Sequence, residues 1–431
     1  MSPIQDHPLR YDLANELHAR PFPVMAAPSR AAYLAIKPAS NALGRDRALD
    51  MAHLKALLDH YAAPYPEEGA THYFGPLGKH MLKWESHTEF VTYTIFRDGV
   101  AEVPFDAATF ALFPKSWLET SPGQRITSAL IRVEQHSGDD LIPEKAADWF
   151  VPESLALSRV LDDDAVIAGD FRIDPAGHMR FAIFTRPTTG ARRTGRVLQR
   201  LCEIETYKAM AMLGFSRTKS LGPQMEALDM RLSDLTQSLS GGPQTSEQTL
   251  DGLLQVSGEL EALSAQTTFR FGASAAYDAI VNQRIFILRE ERFLGRQTFG
   301  EFMMRRFDPA MRTVASTKER LDAMGARAIR ASDLLRTRVD VERSAENKAL
   351  LESMDKRADL QLRLQETVEG LSIVAISYYA VNLAANIALP FTGTLGVGEK
   401  GMKAALTPLV IVLVWYIVRQ IRKRLGSERA I

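Results

Sequence analysis

Residues 371–398 read LSIVAISYYAVNLAANIALPFTGTLGVG and residues 404–418 read AALTPLVIVLVWYIV, two stretches with no charged side chain. A helix that crosses the hydrocarbon of a bilayer needs ~20 predominantly apolar residues, and Leu371–Leu389 meets that length by itself. The second stretch is shorter, but Lys403 and Arg419 at its ends can lay their aliphatic stems along the helix and hold their charges at the interfaces. Residues 369–421 therefore read as a transmembrane helical hairpin. Behind it Arg419, Arg422, Lys423, Arg424 and Arg429 form a basic tail, whereas the connector Pro390–Lys403 carries Glu399, Lys400 and Lys403. The excess of positive charge assigns the tail, 422–431, to the cytoplasm. Two spans return the chain to its starting side, so the expectation is a multi-pass protein of the bacterial inner membrane with both termini cytoplasmic.

The rest of the chain has the composition of a folded protein. Apolar residues make up 46% of 431, enough for a buried core. Lysine plus arginine equals aspartate plus glutamate at 52 each, so no overall field draws in nucleic acid. The single cysteine, Cys202, excludes an intrachain disulfide framework and sits in Leu201-Cys202-Glu203-Ile204 as a helix-packing thiol. Near the N-terminus Asp6, Arg10, Asp12, Glu16 and Arg20 follow one another with no apolar run between them, unlike a secretory leader.

Residues 1–190 mix strand and helix signals. Arg30–Lys37, His80–Ser86, Glu89–Arg97, Ile126–Glu134 and Ala165–Ile173 are rich in β-branched and aromatic residues with partial two-residue alternation. The clearest hairpin joins Val166–Ile173 to His178–Thr185 through Asp174-Pro175-Ala176-Gly177. Helical patterns at Asp46–Tyr61, Asp106–Leu112 and Pro143–Trp149 interleave. The expected fold is an α+β cytoplasmic domain with a mostly antiparallel sheet. From about Arg192 the strand pattern stops, and a long helical, coiled-coil stalk is expected over 191–368. Met225, Leu228, Leu232, Leu235 and Leu239 recur at steps of three and four, the seam of a coiled coil. Ser240-Gly241-Gly242-Pro243 breaks that helix, Ser246–Gly295 forms a second, and a third begins near Thr298 and continues towards Leu371. Such a long helix needs partners, and a homo-oligomer is the expectation.

Four groups of residues are candidate sites. Tyr378, Asn382 and Asn386 lie four apart on one face of the first span, where polar groups meet protein or water; the stripe reads as helix–helix glue or as the lining of an ion path. Glu16, His18, Arg20 and Phe22 sit in ELHARPF, a carboxylate, an imidazole and a guanidinium beside proline, which suits anion binding or acid–base work, or a plain surface and capping role. Asp162, Asp163 and Asp164 precede a strand and suit either a hard cation or a solvated turn. Arg192, Arg193, Arg196 and Arg200 open the first long helix as a soluble face, a pairing surface or an anionic-lipid patch. His53 and His60 share a helix face without a second pair at ligand spacing, and His72, His80 and His87 lie on or between strands, so no metal site is expected. No cofactor is called for: phosphate-loop, dinucleotide, nucleophile-elbow and zinc-protease motifs are all missing from the sequence.

Glu16–Phe22 (ELHARPF), Leu198–Tyr207 (LQRLCEIETY), Gln297–Phe302 (QTFGEF) with Asp308–Arg312 (DPAMR), and Val368–Tyr379 (VEGLSIVAISYY) together resemble a bacterial family of membrane-anchored proteins known only as a domain of unknown function. The resemblance runs from residue 7 to about 420 and implies membrane attachment with almost no biochemistry. A cytoplasmic α/β domain, long helices, two C-terminal spans and a basic tail also resemble, in outline, the pentameric CorA divalent-cation channels. Those end their first span in Gly-Met-Asn, whereas here Gly401-Met402 is followed by Lys403 at the start of the second. A non-enzymatic, oligomeric scaffold or interaction module is expected, with a CorA-like channel as the alternative.

Overall fold

The computed structural model describes residues 4–16, 22–38, 45–239, 245–388 and 398–427. By its internal packing the chain divides into two compact units, Met1–Ser332 and Asp333–Ile431.

The first unit is built on a mixed sheet of nine strands in the order β2-β3-β4-β1-β5-β8-β7-β6-β9. Its strands are β1 (Ser29–Lys37), β2 (His72–Leu77), β3 (His80–Ser86), β4 (Val91–Asp98), β5 (Gln124–Gln135), β6 (Ala156–Val160), β7 (Ala165–Gly169), β8 (Met179–Thr185) and β9 (Glu291–Arg292). Every pairing is antiparallel except β5 with β8. The order is mirrored about the central pair: β1 is followed by a helix and the meander β2-β3-β4, and β5 by a helix and the meander β6-β7-β8. The halves differ in direction, since β4 runs antiparallel to β1 but β8 parallel to β5. The expected α+β domain with a mostly antiparallel sheet is the fold observed.

Strand β1 shows why both faces are covered. Ala32, Leu34 and Ile36 enter a core with Leu54, Leu57 and Leu58 of α2 (Arg47–His60). Helix α2 begins where Asp46 accepts from Ala48 N at 2.8 Å. The same core takes Phe110 and Leu112 from a 3₁₀ helix (Ala107–Leu112) and Trp117 from α3 (Lys115–Glu119). A second core gathers Ile142, Ala146 and Trp149 of α4 (Ile142–Trp149) with Leu157, Val166, Ala182 and Phe184. Ala31, Tyr33 and Ala35 are equally buried on the opposite face, under α5 (Ala191–Ser238). Helix α6 (Ser246–Leu288) packs along α5, with Met225, Leu228 and Leu232 buried on one and Leu253, Val256 and Leu260 on the other. The three-and-four spacing thus marks a real seam, here between antiparallel helices of one chain.

Some boundaries differ from the sequence reading. Strand β7 stops at Gly169, not Ile173, which is 71% exposed. The turn itself forms as expected: Asp174 Oδ1 accepts from His178 N at 2.8 Å, and Gly177 takes φ +91°, where glycine alone is unstrained. Asp106–Leu112 winds as 3₁₀ rather than α. The second long helix ends at Leu288, because Arg289 is left-handed (φ 49°) and releases the chain to add β9 to the sheet edge beside β6. A strand therefore follows the long helices begun at Arg192. The expected break at 240–243 lies outside the described residues.

Thr298 then caps α7 (Phe299–Arg306) by a reciprocal box with Glu301. Helix α8 runs Asp308–Ala388, well past Leu371, and α9 spans Glu399–Ser427. Both are long and apolar enough to cross a membrane, with mean hydropathy of 1.5 and 1.9 over their most apolar windows.

Candidate functional site

Charge is buried between the sheet and α5. On β3, Leu82 and Trp84 enter the core with α2, so Lys83 and Glu85 must point the other way. That face is covered, and both side chains are almost wholly buried. Lys83 meets Glu85 at 3.2 Å and donates to Gln199 Oε1 at 2.7 Å. Gln199 in turn donates to Glu203 at 2.7 Å, and Glu203 is ion-paired to Arg284 of α6. In the loop between β3 and β4, Glu89 is 1% exposed; it pairs with Arg270 and accepts from Tyr277 Oη at 2.9 Å. Thr127 and Lys208 converge on Glu205 at 3.1 and 2.6 Å. Burial, then the neighbouring Glu89, pushes the Tyr277 phenol well above its ordinary range.

The layer ties α5 and α6 to the sheet through matched charges. Its cavity measures about 20 Å³, room for roughly one water. Cys202 lines it, but burial raises its pKa far above the usual thiol range, so the sulfur stays protonated and inert. A buried charge left without a partner costs several kcal/mol, so these matched pairs fix the register of α5 and α6 on the sheet. The Leu198–Tyr207 segment singled out by resemblance is the stretch of α5 that carries them.

The N-terminal motif is described only in part. Helix α1 (Arg10–Glu16) ends at Glu16, while His18 and Arg20 lie outside the described residues. Phe22 is 46% exposed. The following residues are docked on α5: Met25 N donates to Ala191 O at 3.1 Å, and a Cβ at Gly195 would come within 1.8 Å of the Pro23 carbonyl oxygen. Glycine at 195 is what lets the two backbones touch.

Asp162, Asp163 and Asp164 form the hairpin turn between β6 and β7, with Asp162 and Asp163 at φ 58° and 70°. Each faces an arginine: Asp162 meets Arg289 at 2.7 Å, Asp163 meets Arg186 at 3.0 Å and also Arg159, and Asp164 meets Arg193 at 2.5 Å. Every carboxylate of the turn thus faces a guanidinium. Among the described residues no group of histidine, cysteine and acidic side chains is placed to hold a metal. His53 is a core strut, stacked on Trp117 at 4.0 Å and bonded to Tyr93 Oη and the Trp117 carbonyl at 3.1 Å each. Arg193, Arg196 and Arg200 line an open cleft against the end of α6.

In the second unit, Tyr378 is 66% exposed, and Asn382 and Asn386 are exposed on the same helix face. They remain aligned four apart along α8, while Ser377 and Ala385 are buried at 5% and 3%. On α9, Val414 is buried and Arg419 lies over the Trp415 ring at 4.9 Å, the interfacial pairing expected where an apolar helix meets headgroups.

Sequence reasoning missed the buried layer. Its one local signal was Lys83 and Glu85 alternating with Leu82 and Trp84, a pattern that also describes a strand face turned to water. A search of curated proteins finds no match. A family model covers residues 5–425, taking in the sheet, the helical pair and both apolar helices together. On that near-complete match the chain belongs to the family described as "Protein of unknown function (DUF3422)".

Proposed function

We propose that this chain is a membrane-anchored, homo-oligomeric, non-enzymatic interaction protein of the bacterial inner membrane, its sheet domain and both termini on the cytoplasmic side. The observation that carries this reading lies on α8, where every residue from Asp340 to Val368 is exposed. The stretch is not simply polar: Leu350 is 62%, Met354 58%, Leu364 67% and Val368 55% exposed. A helix of that length with bare apolar residues is marginal alone in water, and it gains stability by pairing with other copies in coiled-coil fashion. The polar layer under α5 supports a scaffolding role, since its charges are consumed in holding helices together.

Crosslinking in native membranes tests this directly. Dimers or higher species should form, and Leu350→Asp with Met354→Asp should reduce them while leaving thermal unfolding of the sheet domain unchanged. Monomers alone at native expression would refute it.

A second reading, a CorA-like channel, is favoured by the exposed line of Tyr378, Asn382 and Asn386. Two spans per chain cannot enclose a pore, so it requires several subunits. Liposomes carrying the protein should then pass Mg²⁺ or another ion, and Asn382→Leu with Asn386→Leu should abolish the flux. A ring of five subunits supports this reading, whereas a dimer or the absence of flux across a panel of ions removes it.

A further inference from the structure

Helix α5 delivers Arg193, Arg196 and Arg200, at steps of three and four and therefore on one face, into an open cleft of about 810 Å³. The volume is that of a small-molecule site. Its acids are already engaged. Asp164 is paired with Arg193. Glu290 accepts from Ser158 Oγ at 2.7 Å and from Phe299 N and Gly300 N at 3.0 and 2.7 Å, filling the α7 N-terminus that an outside anion would otherwise occupy. Glu301 accepts from Thr298 N at 3.0 Å and from Arg292 Nε at 2.9 Å.

Two guanidiniums are left over. Among the described residues Arg196 has no acidic partner, and its buried Nε has no hydrogen-bond partner. Arg200 donates to the Ile287 carbonyl at 3.3 Å, while Glu203, the carboxylate whose charge acts on it, is held by Arg284. Burial and the adjacent Arg196 lower the Arg200 pKa. Beside them the cleft presents bare apolar surface, with Phe286 82% and Met304 64% exposed. Clustered forks of N–H donors match the several oxygens of a phosphate better than one carboxylate.

We infer that this cleft binds a phosphate-bearing amphiphile, its phosphate on Arg196 and Arg200 and its apolar portion on Phe286 and Met304. The cleft lies wholly within residues 161–304, so the inference stands apart from the oligomer and channel readings.

The full chain in neutral detergent would be titrated calorimetrically with inorganic phosphate, dihexanoyl phosphatidic acid and dihexanoyl phosphatidylcholine. Phosphatidic acid should bind saturably and more tightly than inorganic phosphate, and the choline lipid should not compete. Arg196→Gln with Arg200→Gln should weaken phosphatidic acid by about tenfold or more, as expected for lost charge-assisted hydrogen bonds. Phe286→Ser should weaken it while leaving inorganic phosphate unchanged, and Arg196→Lys with Arg200→Lys should restore part of the affinity in a protein of unaltered melting temperature. Floating the protein on vesicles with and without phosphatidic acid separates a lipid headgroup from a soluble ligand: enrichment on the anionic vesicles, lost in the glutamine variant, supports the lipid, and saturable binding without enrichment supports a soluble phosphate ester. Equal affinity for inorganic phosphate and phosphatidic acid, with Phe286→Ser silent, would overturn the apolar half. Binding indifferent to the arginine substitutions, or no saturable binding of either phosphate probe, would overturn the whole.

Discussion

The layer beneath α5 and the apolar helices near the C-terminus are opposites. Under α5, Glu89, Glu85, Lys83 and Glu205 are buried and each is matched by a donor or an opposite charge. Along α8 and α9, Val374, Ile376, Leu383, Ile387, Leu409 and Val412 are exposed. In water, the first arrangement needs every partner in place and the second exposes a large apolar area. The same chain therefore holds two contrasting surfaces: charges enclosed by protein under α5, and bare apolar side chains on two helices long and apolar enough to cross a membrane.

The largest test of that contrast concerns the apolar helices. Ile376→Lys with Leu383→Lys introduces charges that cost about 2.5–3.5 kcal/mol each at the centre of a span. The first span should fail to insert, and a reporter fused after Ile431 should switch to the opposite side of the membrane from its side in the parent. A reporter that stays put breaks the comparison.

Next in size is the protein side. Glu89→Ala should destabilise the chain by about 3–5 kcal/mol in chemical denaturation, because it strands Arg270 in a buried site. Replacing Glu89 and Arg270 together by methionine should recover most of the loss. A Glu89→Ala cost below about 1 kcal/mol would mean that the layer is wet and its charges screened.

The third concerns protons. Burial lowers the pKa of His53 and of His178, so the folded state resists their protonation. The unfolded chain then binds more protons below about pH 6.5, and stability, complete above that value, falls as the pH drops. The slope should reach at most about 1.4 kcal/mol per pH unit for each histidine. His53→Gln should flatten it in denaturant titrations from pH 7.5 to 5; an unchanged slope would assign the dependence elsewhere.

The smallest effect belongs to the outer surface of the helical pair. Arg231 and Glu259 meet at 2.9 Å with both side chains about half exposed, and Arg231→Gln should cost no more than about 0.5–1 kcal/mol. A larger value would indicate that this face is covered in the native assembly.

Local chemistry carried much of the fold into the sequence. Asp46 before a leucine-bearing helix, the Asp174–Gly177 turn, and the leucine steps of α5 and α6 each depend on residues a few positions apart, and each appears where its pattern stands. The 3₁₀ winding of Ala107–Leu112, the early end of β7 and the return of the chain as β9 were not legible, because neighbours distant in sequence decide them. The candidate sites divide in the same way. Tyr378, Asn382 and Asn386 share a face because a helix has a fixed period, whereas the arginines that face Asp162, Asp163 and Asp164 come from β6, from beyond β8 and from the ends of α5 and α6.

What the sequence determined by itself was the period and polarity of each element, including two charge-free apolar stretches, since those follow from side chains at fixed spacing along one backbone. Only the tertiary structure decided which polar face meets water and which meets protein. Lys83 and Gln199 are 116 positions apart, and Glu89 and Arg270 181. A charged strand face looks alike in sequence whether it will be hydrated or covered, and closing those long loops under α5 is what turned this one into an interior.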